Sequence, residues 1–109
     1  MPNHKYQIVL TSCPDSASAS ALAQGLVEAR LAAAVNILPA GKSVYAWRQK
    51  VRTASEHLLL IKSATRNYPE IEAHIRASHP YELPAILAVP IANASSDYLR
   101  WLENPWIIT

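Results

Sequence analysis

Glycine and cysteine are scarce in this 109-residue chain: there are two glycines, Gly25 and Gly41, and one cysteine, Cys13. Two glycines are too few for a glycine-rich phosphate loop, and no G-x-S-x-G motif is present. The signatures of common enzyme classes are thus missing, and a non-catalytic role is expected. A single thiol excludes an internal disulfide and fits a reducing compartment. Long apolar runs are also missing. The run after Lys5 extends only from Ile8 to Leu10, too short for the hydrophobic part of a signal peptide. Nothing approaches the ~20 apolar residues that span a bilayer. The expected location is the cytoplasm. Net charge is +2 with histidine neutral, and the lysines and arginines are scattered. The densest group, RQKVR at Arg48–Arg52, reads as a solvated hairpin tip. Binding to nucleic acid needs more clustered charge than this. Metal-ligand spacing is absent around His4, His57 and His74, with neither C-x-x-C nor H-x-x-x-H.

What is present is a globular composition, 50% hydrophobic and 17% charged, in a length that suits one domain over residues 1–109. YQIVLTSC alternates apolar and polar residues, as a half-buried strand does. Pro14 ends it, and Asp15 or Ser16 can cap a helix. That helix is expected from about Ala17 to Ala32, with Ala19, Leu22, Leu26, Ala29 and Ala33 on one stripe. AVNILPAGKSVYAW reads as a strand, a bulge or kink at Pro39–Gly41 and a continuing strand. RQKVRTASE reads as a polar turn region, and HLLLIKS, His57–Ser63, as a strand buried on both faces. TRNYPEIEAHIRASH is a second helix with Pro69 in its first turn. AILAVPI, Ala85–Ile91, is a strand placed by Pro90 at an edge or near its own end. ASSDYLRWLENP is a short third helix.

The order β-α-β-β-α-β with a helical tail is that of an α+β, ferredoxin-like domain with an antiparallel sheet. Its central hairpin is too long for a plain version. Roughly fourteen residues per arm, at about 3.3 Å each, reach over ~40 Å, whereas a domain of this size has a radius of gyration near ~13 Å. The overhanging ribbon carries Val44, Tyr45, Trp47 and Val51. Isolated two-stranded ribbons are marginal and their edges invite pairing. An obligate homo-oligomer is the expectation.

Six stretches together resemble the CutA family of divalent-cation tolerance proteins: LTSCPD (10–15), LVEARLAAAVNILP (26–39), SVYAW (43–47), LLLIKS (58–63), HPYELP (79–84) and DYLRWL (97–102). They span nearly the whole chain. The resemblance implies a ferredoxin-like subunit in a tight homotrimer with hairpins exchanged between neighbours. It also implies an association with copper and other divalent metals and no organic cofactor. Fold and trimer are similar to those of the PII signalling proteins. Three positions depart from the family pattern: Ala34 stands where a Cys is common, Gln49 where Gly or Asn helps a tight turn, and Ala85 where a Glu is usual.

The residues able to carry chemistry are few. Cys13 is the only soft ligand, suited to Cu(I) or zinc, unless it is simply a small buried hydrophobe. His79 is either an imidazole ligand or a helix terminator packed on Pro80. Glu82 is a third candidate ligand beside them. Lys62, Tyr81 and Trp47 are candidates for a cleft between subunits, although aromatics on a ribbon also pack on neighbours. A Cys13–His79 dyad is formally conceivable, but no sequence feature brings the two together. Two functions compete: a metal-tolerance protein that binds copper or another divalent ion, and a PII-like sensor or scaffold that holds a small molecule or protein in the cleft. An accessory role with no ligand is a third.

Overall fold

Strand β1, Tyr6–Cys13, buries Gln7, Val9, Thr11 and Cys13 on one face and turns Tyr6, Ile8, Leu10 and Ser12 to the other. A computed structural model describes residues 4–107 of the chain. Asp15 caps helix α1, Ser16–Glu28, by accepting the Ser18 amide at 2.7 Å. The helix stops four residues before the expected Ala32. Arg30 adopts a left-handed conformation, φ 61°. The Arg30 amide then reaches Val27 O at 2.9 Å and the Leu31 amide reaches Leu26 O at 3.1 Å. This double closure satisfies the last carbonyls and ends the helix, here with no glycine.

The remaining elements are β2 (Ala34–Ile37), β3 (Gly41–Trp47), β4 (Lys50–Ala64), α2 (Tyr68–Ser78), β5 (Leu87–Pro90) and α3 (Ser96–Glu103); a short 3-10 turn at Thr65–Asn67 precedes α2. The sheet runs β2-β4-β1-β5, and every neighbouring pair is antiparallel. With β2 and β3 taken as one interrupted strand, this is the ferredoxin-like order expected from the sequence. Helices α1 and α2 cover one face. There Val9, Cys13, Leu22, Leu26, Leu59, Ile61, Ile71 and Ile75 form the core.

The interruption is a bulge. Ile37 pairs with Leu59 and Gly41 with Glu56, so Leu38, Pro39 and Ala40 oppose only His57 and Leu58. The extra residue bends the strand and sends β3 and the first half of β4 out as a ribbon. The molecule is 45 Å long in consequence. The polar RTASE segment, expected as part of a turn, is strand. A two-stranded ribbon with no sheet behind it tolerates polar residues on both faces, which hides its period from the sequence. The true turn is the residue pair Arg48–Gln49, with φ 49° and 66°. Trp47 pairs with Lys50 across it, the geometry of a type I′ hairpin.

Two non-glycine residues at positive φ are a local cost that glycine would relieve. Gln49→Gly is expected to raise stability by about 1 kcal/mol, read as a higher denaturant midpoint at fixed protein concentration. A lower midpoint contradicts the tight turn.

Candidate functional site

Two chain ends of different elements meet at one edge of the domain. Pro14 halts β1 just after Cys13. Helix α2 closes with the His79 amide on Ile75 O at 2.9 Å, and His79 leaves in an extended conformation with Pro80 behind it. Both ring nitrogens of His79 are engaged. Nε2 lies 2.7 Å from Ser12 O, and Nδ1 lies 3.0 Å from the Tyr81 amide nitrogen. A carbonyl can only accept and an amide can only donate. The ring is therefore neutral with its proton on Nε2. Cys13 Sγ lies 3.9 Å from the same Nε2. The structure thus makes the Cys13–His79 pairing that spacing could not reveal.

The pairing is not an activated nucleophile. Cys13 is 1% exposed. Burial first, and then the carboxylates of Asp15 and Glu56, push its thiol pKa up against a Ser18 hydroxyl that opposes them. The imidazole nitrogen nearest the sulfur already holds a proton and directs it to a carbonyl, so it cannot take the thiol's.

A second cluster lies on the other side of β1. Its centre is Glu56, which shares a face of β4 with Leu58 and Leu60, opposite the core. The Tyr81 hydroxyl donates to one carboxylate oxygen at 2.6 Å and the Ser12 hydroxyl to the other at 3.4 Å. The Tyr81 ring stands 4.9 Å from the His79 ring, centre to centre. Burial raises the Glu56 pKa, but hydrogen bonds from Ser43, Tyr81 and Ser12 outweigh it and hold the carboxyl below its usual range. The Tyr81 phenol is pushed well above its ordinary value by burial and by that same carboxylate. Glu56 was not anticipated. The only signal for it was a glutamate shortly before the aliphatic run of β4.

Between β3 and the 80–85 loop opens a cleft of about 850 Å³, walled by Tyr45, Trp47 and Tyr81 with Glu56 inside. Tyr81 and Trp47 therefore line one cleft within a single chain. Lys62 does not reach it. It lies six residues further along β4, on the open sheet face, where it bonds Asn36. Glu82 does not join Cys13 and His79 either. Its carboxylate pairs with Arg48 at 3.3 Å on the outer rim, both side chains well exposed. Residues Pro80–Leu83 bend rather than run extended, and Tyr81 and Glu82 both line the cleft, Tyr81 against Glu56 and Glu82 at the rim. Among the described residues no three His, Cys, Asp or Glu side chains gather to hold an ion.

The sign of the Glu56 shift gives a pH dependence. A carboxyl with a depressed folded-state pKa adds stability above its unfolded value, about 4.3 for Glu, and that contribution vanishes as pH falls through the folded value. The stability gap between the native chain and Glu56→Gln is expected to be widest near pH 7 and to narrow below about pH 4. Chemical unfolding at a series of pH values reads it, and a gap independent of pH contradicts the network.

The CutA1 divalent ion tolerance protein family model matches residues 7–105. The divalent-cation tolerance protein CutA of Pectobacterium atrosepticum is 42% identical over 88% of this chain and 87% of its own. That of Thermus thermophilus is 43% identical over 90% and 95%. Among solved structures, the divalent cation tolerance protein from Thermus thermophilus superposes with TM-score 0.88 at 42% identity, covering 90% of this chain and 95% of that one. CutA1 from a psychrotrophic Shewanella gives 0.89 at 38% identity, covering 93% and 94%. With matches along almost its full length in sequence and in backbone, this chain belongs to the CutA1 divalent ion tolerance family.

Proposed function

We propose that the protein works in divalent-cation tolerance as a homotrimer that binds a soft metal ion, copper or zinc, between Cys13 and His79. The observation that carries the reading is the 3.9 Å separation of Sγ and Nε2. A tetrahedral ion with a sulfur at about 2.3 Å and a nitrogen at about 2.0 Å holds them about 3.5 Å apart. The pair thus needs to close by only a few tenths of an ångström. Two protein ligands do not fill a coordination sphere, and Glu82 is turned away. The remaining positions fall to water or to a neighbouring copy. The role is one of binding and not of catalysis, in keeping with a protonated, unactivated thiol. The trimer is supported by the overhanging ribbon and by the apolar sheet face opposite the helices. The cytoplasm is supported by the lone free thiol.

Metal entry has a defined cost. The thiol must lose its proton, and the imidazole must move its proton from Nε2 to Nδ1. That gives up the bonds to Ser12 O and to the Tyr81 amide. One proton leaves per ion, so affinity rises about tenfold per pH unit while the thiol is protonated. Titration calorimetry with Cu(I) under anaerobic conditions, and with Zn(II), is expected to show this slope. Cys13→Ala should abolish binding and the slope, and His79→Ala should weaken binding at least tenfold. Equal binding by all three proteins, or a flat pH profile, removes the assignment.

A second reading has its own observation. The cleft beside Glu56 has the size of a small-molecule site. A sensor or scaffold in the manner of the PII proteins would hold its ligand there.

A further inference from the structure

Charge and wall chemistry say what that cleft can accept. Among the described residues its lining contains two carboxylates, Glu56 and Glu82, and no Lys, Arg or His. A phosphate or carboxylate ligand would be stripped of water beside like charge, which is costly. Three aromatic rings, Tyr45, Trp47 and Tyr81, supply electron-rich faces. Glu56 offers about four acceptor positions. Hydroxyls of Tyr81 and Ser12 occupy two, which leaves acceptor capacity for a donor arriving from the cleft.

The chain supplies its own demonstration. The Arg48 guanidinium stands 5.4 Å from the centre of the Trp47 ring and 3.3 Å from the Glu82 carboxylate. One positive group is thus already held by an aromatic face and a carboxylate at the mouth. The inner part of the cleft repeats the combination, with Tyr81 and Glu56, and no cation among the described residues fills it.

We propose that the cleft between the ribbon and the 80–85 loop is a site for a small organic cation, one that carries an alkylammonium or alkylguanidinium group. The inference rests on the reading of the cleft as a binding site and is independent of a metal at Cys13–His79. The cationic head sits against Glu56 and Tyr81, and the alkyl part lies on Trp47 and Tyr45. Arg48 competes for the entrance.

The test uses the full chain in its solution assembly, with EDTA present to remove metal ions. Four probes of matched size are titrated by NMR: butylguanidinium, butylammonium, the neutral butylurea and the anionic butyrate. The two cations are expected to shift the Trp47 indole N–H saturably, with affinity at least tenfold above that of butylurea, and butyrate is expected not to saturate. Glu56→Gln should weaken cation binding about tenfold. Arg48→Gly removes the competing guanidinium at a position whose φ suits glycine, and should strengthen it several-fold. Loss on Glu56→Gln without gain on Arg48→Gly contradicts the proposed entrance. Butylurea or butyrate binding as well as the cations would show a binding cleft of the wrong class and overturn the proposal. No binding by any probe overturns the proposal and the cleft reading together.

Discussion

The antiparallel pairing of β1 with β4 decides which side chains meet the helices and which do not. Its register sets Val9 against Ile61 and Thr11 against Leu59 on the covered face. The same register sets Leu10 against Leu60 and Ser12 against Leu58 on the uncovered one, and β5 adds Leu87 and Val89 there. A slip of one residue would exchange the two sets, so the pairing is strongly specified. What it leaves is a sheet with an apolar back. Leu58, Leu87 and Val89 are exposed, and Val44 and Val51 on the ribbon are 64% and 79% exposed. Each such side chain fully covered by a partner contributes on the order of 1.5–3 kcal/mol. A handful of them outweighs the marginal stability of a lone ribbon, which is the physical ground for reading the chain as one member of an assembly.

The site follows from the same register. Because Cys13 is a core-facing residue and Ser12 is not, the two clusters at the end of β1 lie on opposite faces of the sheet. His79 sits across the strand end, bonded to the Ser12 carbonyl and beside the Cys13 sulfur. Tyr81, two residues on, reaches round to Glu56. One short segment, HPY, thus links a buried soft pair to an open cleft. The Tyr81 amide donates to His79 Nδ1 within that segment, so one hydrogen bond separates the two.

Much of this arrangement was legible in the sequence, and the reasons are specific. The alternation of YQIVLTSC marks a strand, although the helices bury its Gln7, Val9, Thr11 and Cys13 side and leave Ile8 and Leu10 on the open face; the spacing of Leu22 and Leu26 reports the buried stripe of α1 directly. Pro39 marked the bulge because proline disrupts a ladder. The end of α1 was misplaced because Arg30 closes the helix in a conformation that sequence reading associates with glycine. The turn at Arg48–Gln49 falls inside the stretch that reads as a hairpin tip, but the polar RTASE residues made that turn look longer than it is. Glu56 was invisible because its role is set by cross-strand neighbours dozens of residues away. Cys13 and His79 are 66 positions apart, and only the meeting of two element ends brings them to 3.9 Å.

The uncovered sheet face and the ribbon make assembly the central expectation for this chain. Sedimentation equilibrium at micromolar concentration in dilute buffer tests it without any ligand. We expect a single folded species at three times the 12.0 kDa chain mass, about 36 kDa. A well-folded particle of 12.0 kDa would mean that the chain covers its apolar back and its ribbon alone, and the account of the assembly would be wrong.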